Sequence, residues 1–216
     1  MTTTLFQLVG GRWPAEHQGS AERLQMAIRA TGAAVVLAAG YGLAAGSTDL
    51  MLAAGNAWKV PMIVVLSGLT ALPAGLLAFK VLGGESGASK LVVSAAAGNF
   101  TATLVLASLA PLVALYYNST AFWGAPLAMA TCALAVTVGL FSAGRLMHRM
   151  QARPAPIDEA ETTAVDRPRR LTMAIPFVVL ATTQLLALLQ FTSLASPLLP
   201  EQTFFDKGVD ALVELP

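Results

Sequence analysis

Acidic side chains are missing from the middle of every apolar run in this chain, and charge of either sign is scarce. Asp, Glu, Lys and Arg together make up 12% of 216 residues. A soluble domain carries roughly twice that fraction, so a surface bathed in water on all sides is excluded. The missing intramembrane carboxylates argue against proton- or sodium-coupled transport of the usual kind, which relies on acidic side chains within the bilayer. The one cysteine, Cys132, rules out an intrachain disulfide, and inside an apolar run it serves as a small hydrophobe. The two histidines, His17 and His148, lie far apart and outside the apolar runs, so no metal-ligand spacing exists. Gly-x-Ser-x-Gly and phosphate-binding loops are also missing. Nothing here would activate water, a phosphate or an acyl group, so the reading is non-enzymatic, with no cofactor implied.

What is present is apolar. A hydrophobic fraction of 56% and a mean hydropathy of +0.67 predict an all-α, polytopic helical membrane protein. The pattern is anchored by Trp58-Lys59-Val60-Pro61 and the run behind it, in which Lys80 is the one charged residue from Val60 to Leu82. At about 1.5 Å per residue that run covers the roughly 30 Å of a bilayer core. Pro61 falls in the expected first turn, where a helix tolerates proline. Pro73 falls inside, where it removes a hydrogen bond and crowds the carbonyl of Leu69, so a kink is expected there, with Ser67 or Thr70 available to rescue that carbonyl.

Five spans are predicted, at residues 22–45, 60–82, 91–116, 122–147 and 173–194. The organisation that follows is an N-terminal segment at 1–21, four spans within 22–147, a basic, proline-containing linker at 148–172, a fifth span within 173–195 and an acidic tail at 196–216. In the first segment Phe6 and Trp13 suit headgroup depth, or the segment is a disordered tail. The first apolar span starts near Met26 after a polar lead, which reads as an uncleaved signal anchor. The tail places Val209, Leu212 and Val213 on one helical face, which suits a short interfacial helix. Tyr117 to Thr120 read as a short turn that makes the third and fourth spans an antiparallel hairpin.

Orientation comes from the basic residues. With the N-terminus inside, Arg12, Arg23, Lys80, Lys90, Arg145, Arg149, Arg153, Arg167, Arg169 and Arg170 all fall on the cytoplasmic side, leaving Lys59 and Lys207 outside. N-in and C-out therefore satisfies the positive-inside rule on every connection. No nucleic-acid partner is implied.

Two sets of residues stand out as candidates. Ala34, Ala38, Gly42 and Gly46 recur every fourth residue in the first span, beside a second row, Gly32, Val36, Gly40 and Ala44. Helices in lipid gain from close backbone approach through small residues, so this face expects another helix, of the same chain or of a second one. The polar intramembrane set is Arg29, Asn99, Thr101, Thr103, Gln184 and Gln190. Arg29 can snorkel to the phosphates, and Asn99 requires a partner on another helix. Two functions follow. The first is an integral subunit or anchor that assembles with itself or with other membrane-protein subunits. The second is a small channel or transporter whose polar path is lined by Asn99, Thr101, Thr103, Gln184 and Gln190.

The order Lys59-Val60-Pro61, apolar run, Leu72-Pro73 resembles an uncharacterised family of small polytopic bacterial inner-membrane proteins. The likeness continues through Leu106-Ala107-Ser108-Leu109-Ala110-Pro111-Leu112 and Phe204-Phe205. The resemblance implies a bacterial inner-membrane location and carries over no activity and no site residues.

Overall fold

Backbone in hydrocarbon must satisfy its own hydrogen bonds, and the helix is the local solution. The computed structural model of the chain describes residues 2–10, 19–82, 88–119, 124–151 and 171–195. In chain order its helices are α1 (Thr2–Val9), α2 (Ser20–Ala45), α3 (Leu50–Val81), α4 (Ala88–Ser119), α5 (Gly124–Gln151) and α6 (Leu171–Ala195). Among the described residues the regular structure is entirely helical, and α2 to α6 give five helices long and apolar enough to cross a membrane.

The element ends correct the sequence reading in several places. The helix α3 begins at Leu50, not at Val60, because Asp49 caps it: its Oδ1 accepts from the backbone N–H of Met51 at 2.6 Å and of Leu52 at 3.3 Å. An N-cap carboxylate satisfies donors that the first turn leaves open. Pro61 consequently lies inside α3 instead of in its first turn, and the helix runs unbroken through both Pro61 and Pro73. The two hydroxyls expected to help the Leu69 carbonyl bond elsewhere. Ser67 donates to the Val64 carbonyl, and Thr70 donates to those of Leu66 and Ser67.

Tyr117, Asn118 and Ser119 form the last turn of α4, not a loop. Asn118 donates to the Ser47 hydroxyl at 2.9 Å, which ties that turn to the α2–α3 connection. At the other end α5 continues to Gln151 and α6 starts at Leu171, so the predicted linker is shorter at both edges. Trp13, His17, Glu85, Phe122, Trp123, the remainder of the linker and the acidic tail lie outside the described residues.

The helix α4 is the hub. The packed pairs are α2 with α4 and with α3, α5 with α4, and α6 with α3, and α4 also touches α3 and α1. The α4–α5 crossing is backbone against backbone, since a Cβ built on Gly98 would lie 3.0 Å from the Gly139 carbonyl oxygen and one on Gly139 2.7 Å from that of Gly98. Contact this close supplies the dispersion that replaces a hydrophobic driving force in lipid. The predicted hairpin of the third and fourth spans is thus present as α4 and α5.

The N-terminal segment is the largest departure from expectation. Instead of lying on the surface, α1 tucks Leu8, 0% exposed, into a cluster with Met26, Ala27, Ala30 and Ala34 of α2, Phe100 of α4 and Leu146 of α5. The Val9 carbonyl accepts from the Ser142 hydroxyl at 3.4 Å, and the Gly10 carbonyl accepts from Arg149 at 3.0 Å. Two carbonyls left open at the end of a short helix are satisfied in this way.

Candidate functional site

Among the described residues, three places along the bundle bring buried polar side chains together. In the middle, Gln184 Nε2 of α6 donates to Asn99 Oδ1 of α4. Room for Asn99 comes from α3, where a Cβ on Gly68 would lie 2.9 Å from Asn99 Nδ2. The partner that Asn99 needs is therefore Gln184, and three helices meet there. Thr103, one turn along, is buried and spends its hydroxyl on the Asn99 and Phe100 carbonyls at 3.0 Å each.

Thr101 belongs to a second place. Two residues on a helix are about 200° apart, so Thr101 points away from Asn99 and toward α5, where its hydroxyl meets that of Ser142 at 3.2 Å. Through Ser142 this pair reaches the end of α1. Gln190 is exposed and joins neither group, and Arg29 is exposed on α2. The residues grouped by sequence as one polar path are thus divided between two faces of α4 and the outside of α6.

The third place lies at the end carrying Trp58 and Tyr116, and sequence reasoning missed it. Tyr41 of α2 is buried, and its hydroxyl lies 2.9 Å from that of Thr131 and 3.7 Å from Cys132 Sγ on α5. On α3, Asn56 is 0% exposed and Lys59 is 2% exposed. Among the described residues neither the Oδ1 nor the Nδ2 of Asn56 has a hydrogen-bond partner. The predicted span starts at Val60 and leaves Lys59 at its outer edge; the earlier start of α3 draws Lys59 and Asn56 into the bundle. The available signal was Asn56 itself, one turn before a lysine and on the same face.

The small-residue row is covered within the chain. Ala34 and Ala38 are buried, and any Cβ on Gly42 would collide with the Asn56 carbonyl, or on Gly46 with the Ala53 backbone. The Gly42–Gly46 half of the stripe is where α3 docks and Ala34 packs among α1, α4 and α5, so the stripe does not itself supply a contact between chains. The neighbouring row differs: a Cβ on Gly32 or Gly40 would meet nothing within 4 Å among the described residues, and Val36 is 71% exposed. Pro73 also faces outward.

Apolar spans with exposed Leu, Val, Ile and Phe side chains and polar groups turned inward define a multi-pass helical membrane protein in contact with the lipid bilayer. No family model matches the chain, and no curated protein or solved structure matches it.

Proposed function

We propose that the chain is a non-enzymatic integral subunit or anchor of a bacterial inner-membrane assembly, built from copies of itself or with other membrane-protein subunits, and inserted N-in and C-out. The observation that carries this reading is where the polar side chains are spent. Asn99 bonds Gln184, Thr101 bonds Ser142, and Tyr41 bonds Thr131, each between two helices of one chain. Groups used in this way hold a scaffold together. A channel would instead keep them turned to a shared path, and Thr101 and Asn99 face opposite ways. The orientation is supported by the gathering of Arg23, Lys80, Lys90 and Arg149 at one end of the bundle, together with the positive-inside rule.

The test is the mass of the solubilised particle and the identity of co-purifying chains, measured beside solute flux in proteoliposomes. An oligomer or a complex without flux is expected. A monomer whose flux disappears on Asn99→Leu would overturn the reading.

A further inference from the structure

Buried polar side chains nearly always have partners, and a buried amide left without one costs its full desolvation. Asn56 of α3 is 0% exposed, and among the described residues neither of its amide atoms is hydrogen-bonded. One turn on, Lys59 is 2% exposed, and burying an ammonium costs desolvation even where it is paired. The closed packing therefore carries a penalty concentrated in one turn of α3. A second arrangement that wets this turn would relieve it.

The backbone offers such an arrangement a hinge. Pro61 has no N–H, so the Ala57 carbonyl loses its helical donor, and the proline ring crowds that same carbonyl; both ease a bend at this point. At its other end the segment Leu50–Val60 is bounded by a short connection, between the C-cap of α2 at Gly46 and the N-cap of α3 at Asp49. Its outward face is exposed, Leu50 by 86%, Met51 by 66% and Trp58 by 73%.

The two halves of α3 are also held differently. Beyond Pro61, Gly68 sits against Asn99 of α4 and Gly75 against Leu180 of α6, while Ala71 is buried with Leu91, Met147 and Leu180. Before Pro61, the inner face rests on α2, where Gly46 meets the Ala53 backbone and Gly42 that of Asn56. A single side-chain tether, Asn118 to Ser47, holds the adjoining connection.

We propose that Leu50–Val60 is a flap that swings away from α2 about Pro61, and that the unmet amide of Asn56 sets the balance between its closed and open positions. Closed, the flap hides an amide and a cation between helices. Open, it presents both to water at the end of the bundle that carries the α2–α3 connection. The flap is independent of the assembly reading, since it needs no second chain.

Lys59 is a native reporter for it, in the full chain in neutral detergent. A water-soluble acylating reagent is added, and modification is read from the masses of the peptides that carry Lys59 and Lys80. Lys80 is exposed and should react at once. Lys59 should react to completion but slowly, and its rate relative to that of the denatured chain gives the open fraction. Asn56→Leu is close to isosteric and removes the unmet amide, so it should slow the acylation of Lys59 by about tenfold. Pro61→Ala restores the donor to the Ala57 carbonyl and should slow it as well. Neither variant should change the rate at Lys80.

Each variant tests one part. An unchanged or faster rate at Lys59 in Pro61→Ala removes the hinge, and the same result in Asn56→Leu removes the role of the amide. Before either variant is made, a folded wild-type protein in which Lys59 stays unmodified while Lys80 is consumed overturns the flap outright.

Discussion

Gly42 and Gly40 stand two residues apart on α2, and the same change should harm the fold at the first and leave it intact at the second. A side chain at Gly42 has to occupy the space of the Asn56 carbonyl, so Gly42→Leu forces α2 and α3 apart. Overpacking of this kind costs about 1–3 kcal/mol or more, and the yield of monodisperse, helical protein should fall. A Cβ at Gly40 meets no atom of the described residues within 4 Å, so Gly40→Leu should leave that yield unchanged. Equal yields for the two variants would count against the α2–α3 contact. The Asn99–Gln184 bond invites a double-mutant cycle with leucine at each site, and the expected coupling is about 0.6 kcal/mol and below about 2 kcal/mol. A coupling near zero would mean that the two amides do not meet. That Asn99 needs a partner was legible in the sequence. Which partner was not, because Gln184 and Gln190 are chemically the same and lie about 240° apart on one helix, and only packing decides which faces inward.

At the scale of elements, the number of spans was legible because apolar length is a strong signal, and the helix ends were less so. Trp58-Lys59-Val60-Pro61 has every mark of a membrane edge: an aromatic, a charge, and a proline suited to a first turn. The cap at Asp49 outweighs them, and the following turns carry few charges to betray that they lie in the same helix. Deep placement of α1 was hidden for another reason. An uncharged stretch of eight residues is compatible with surface or tail, and only the wedge between α2 and α5 over α4 gives Leu8 somewhere to go. Leu8→Ala removes that anchor and should lower stability by about 2–5 kcal/mol if the site does not collapse. The measurement is thermal unfolding, combined with the rate at which a cysteine at Ser142, in a Cys132→Ala background, reacts with a maleimide. Faster labelling after Leu8→Ala is the expected result, and an unchanged rate would show that α1 does not cover Ser142.

For the molecule as a whole, orientation and assembly can be measured together. Single-cysteine labelling should reach Ser119 and Glu214 from outside and Glu159 only from within, as the basic connections require; labelling of Glu159 from outside would invert the map. Assembly depends on which face of α2 remains available. The row Ala34, Ala38, Gly42, Gly46 was the strongest sequence argument for a contact between chains, and α3 of the same chain now occupies its outer half. What is left uncovered is the adjacent row, where Gly32 and Gly40 flank the exposed Val36. Glycines at two successive turns let a second backbone approach closely, which is the contact lipid cannot supply as well. If subunits meet there, Gly32→Leu and Gly40→Leu should each shift the solubilised particle to smaller size, while helicity and insertion stay the same, because leucine suits lipid at least as well as glycine. Gly42→Leu provides the contrast, since it should lose folded protein instead of reducing particle size. A particle whose size is indifferent to leucine at both outward positions would move the subunit contact off α2 and onto the exposed faces of α3, α5 or α6.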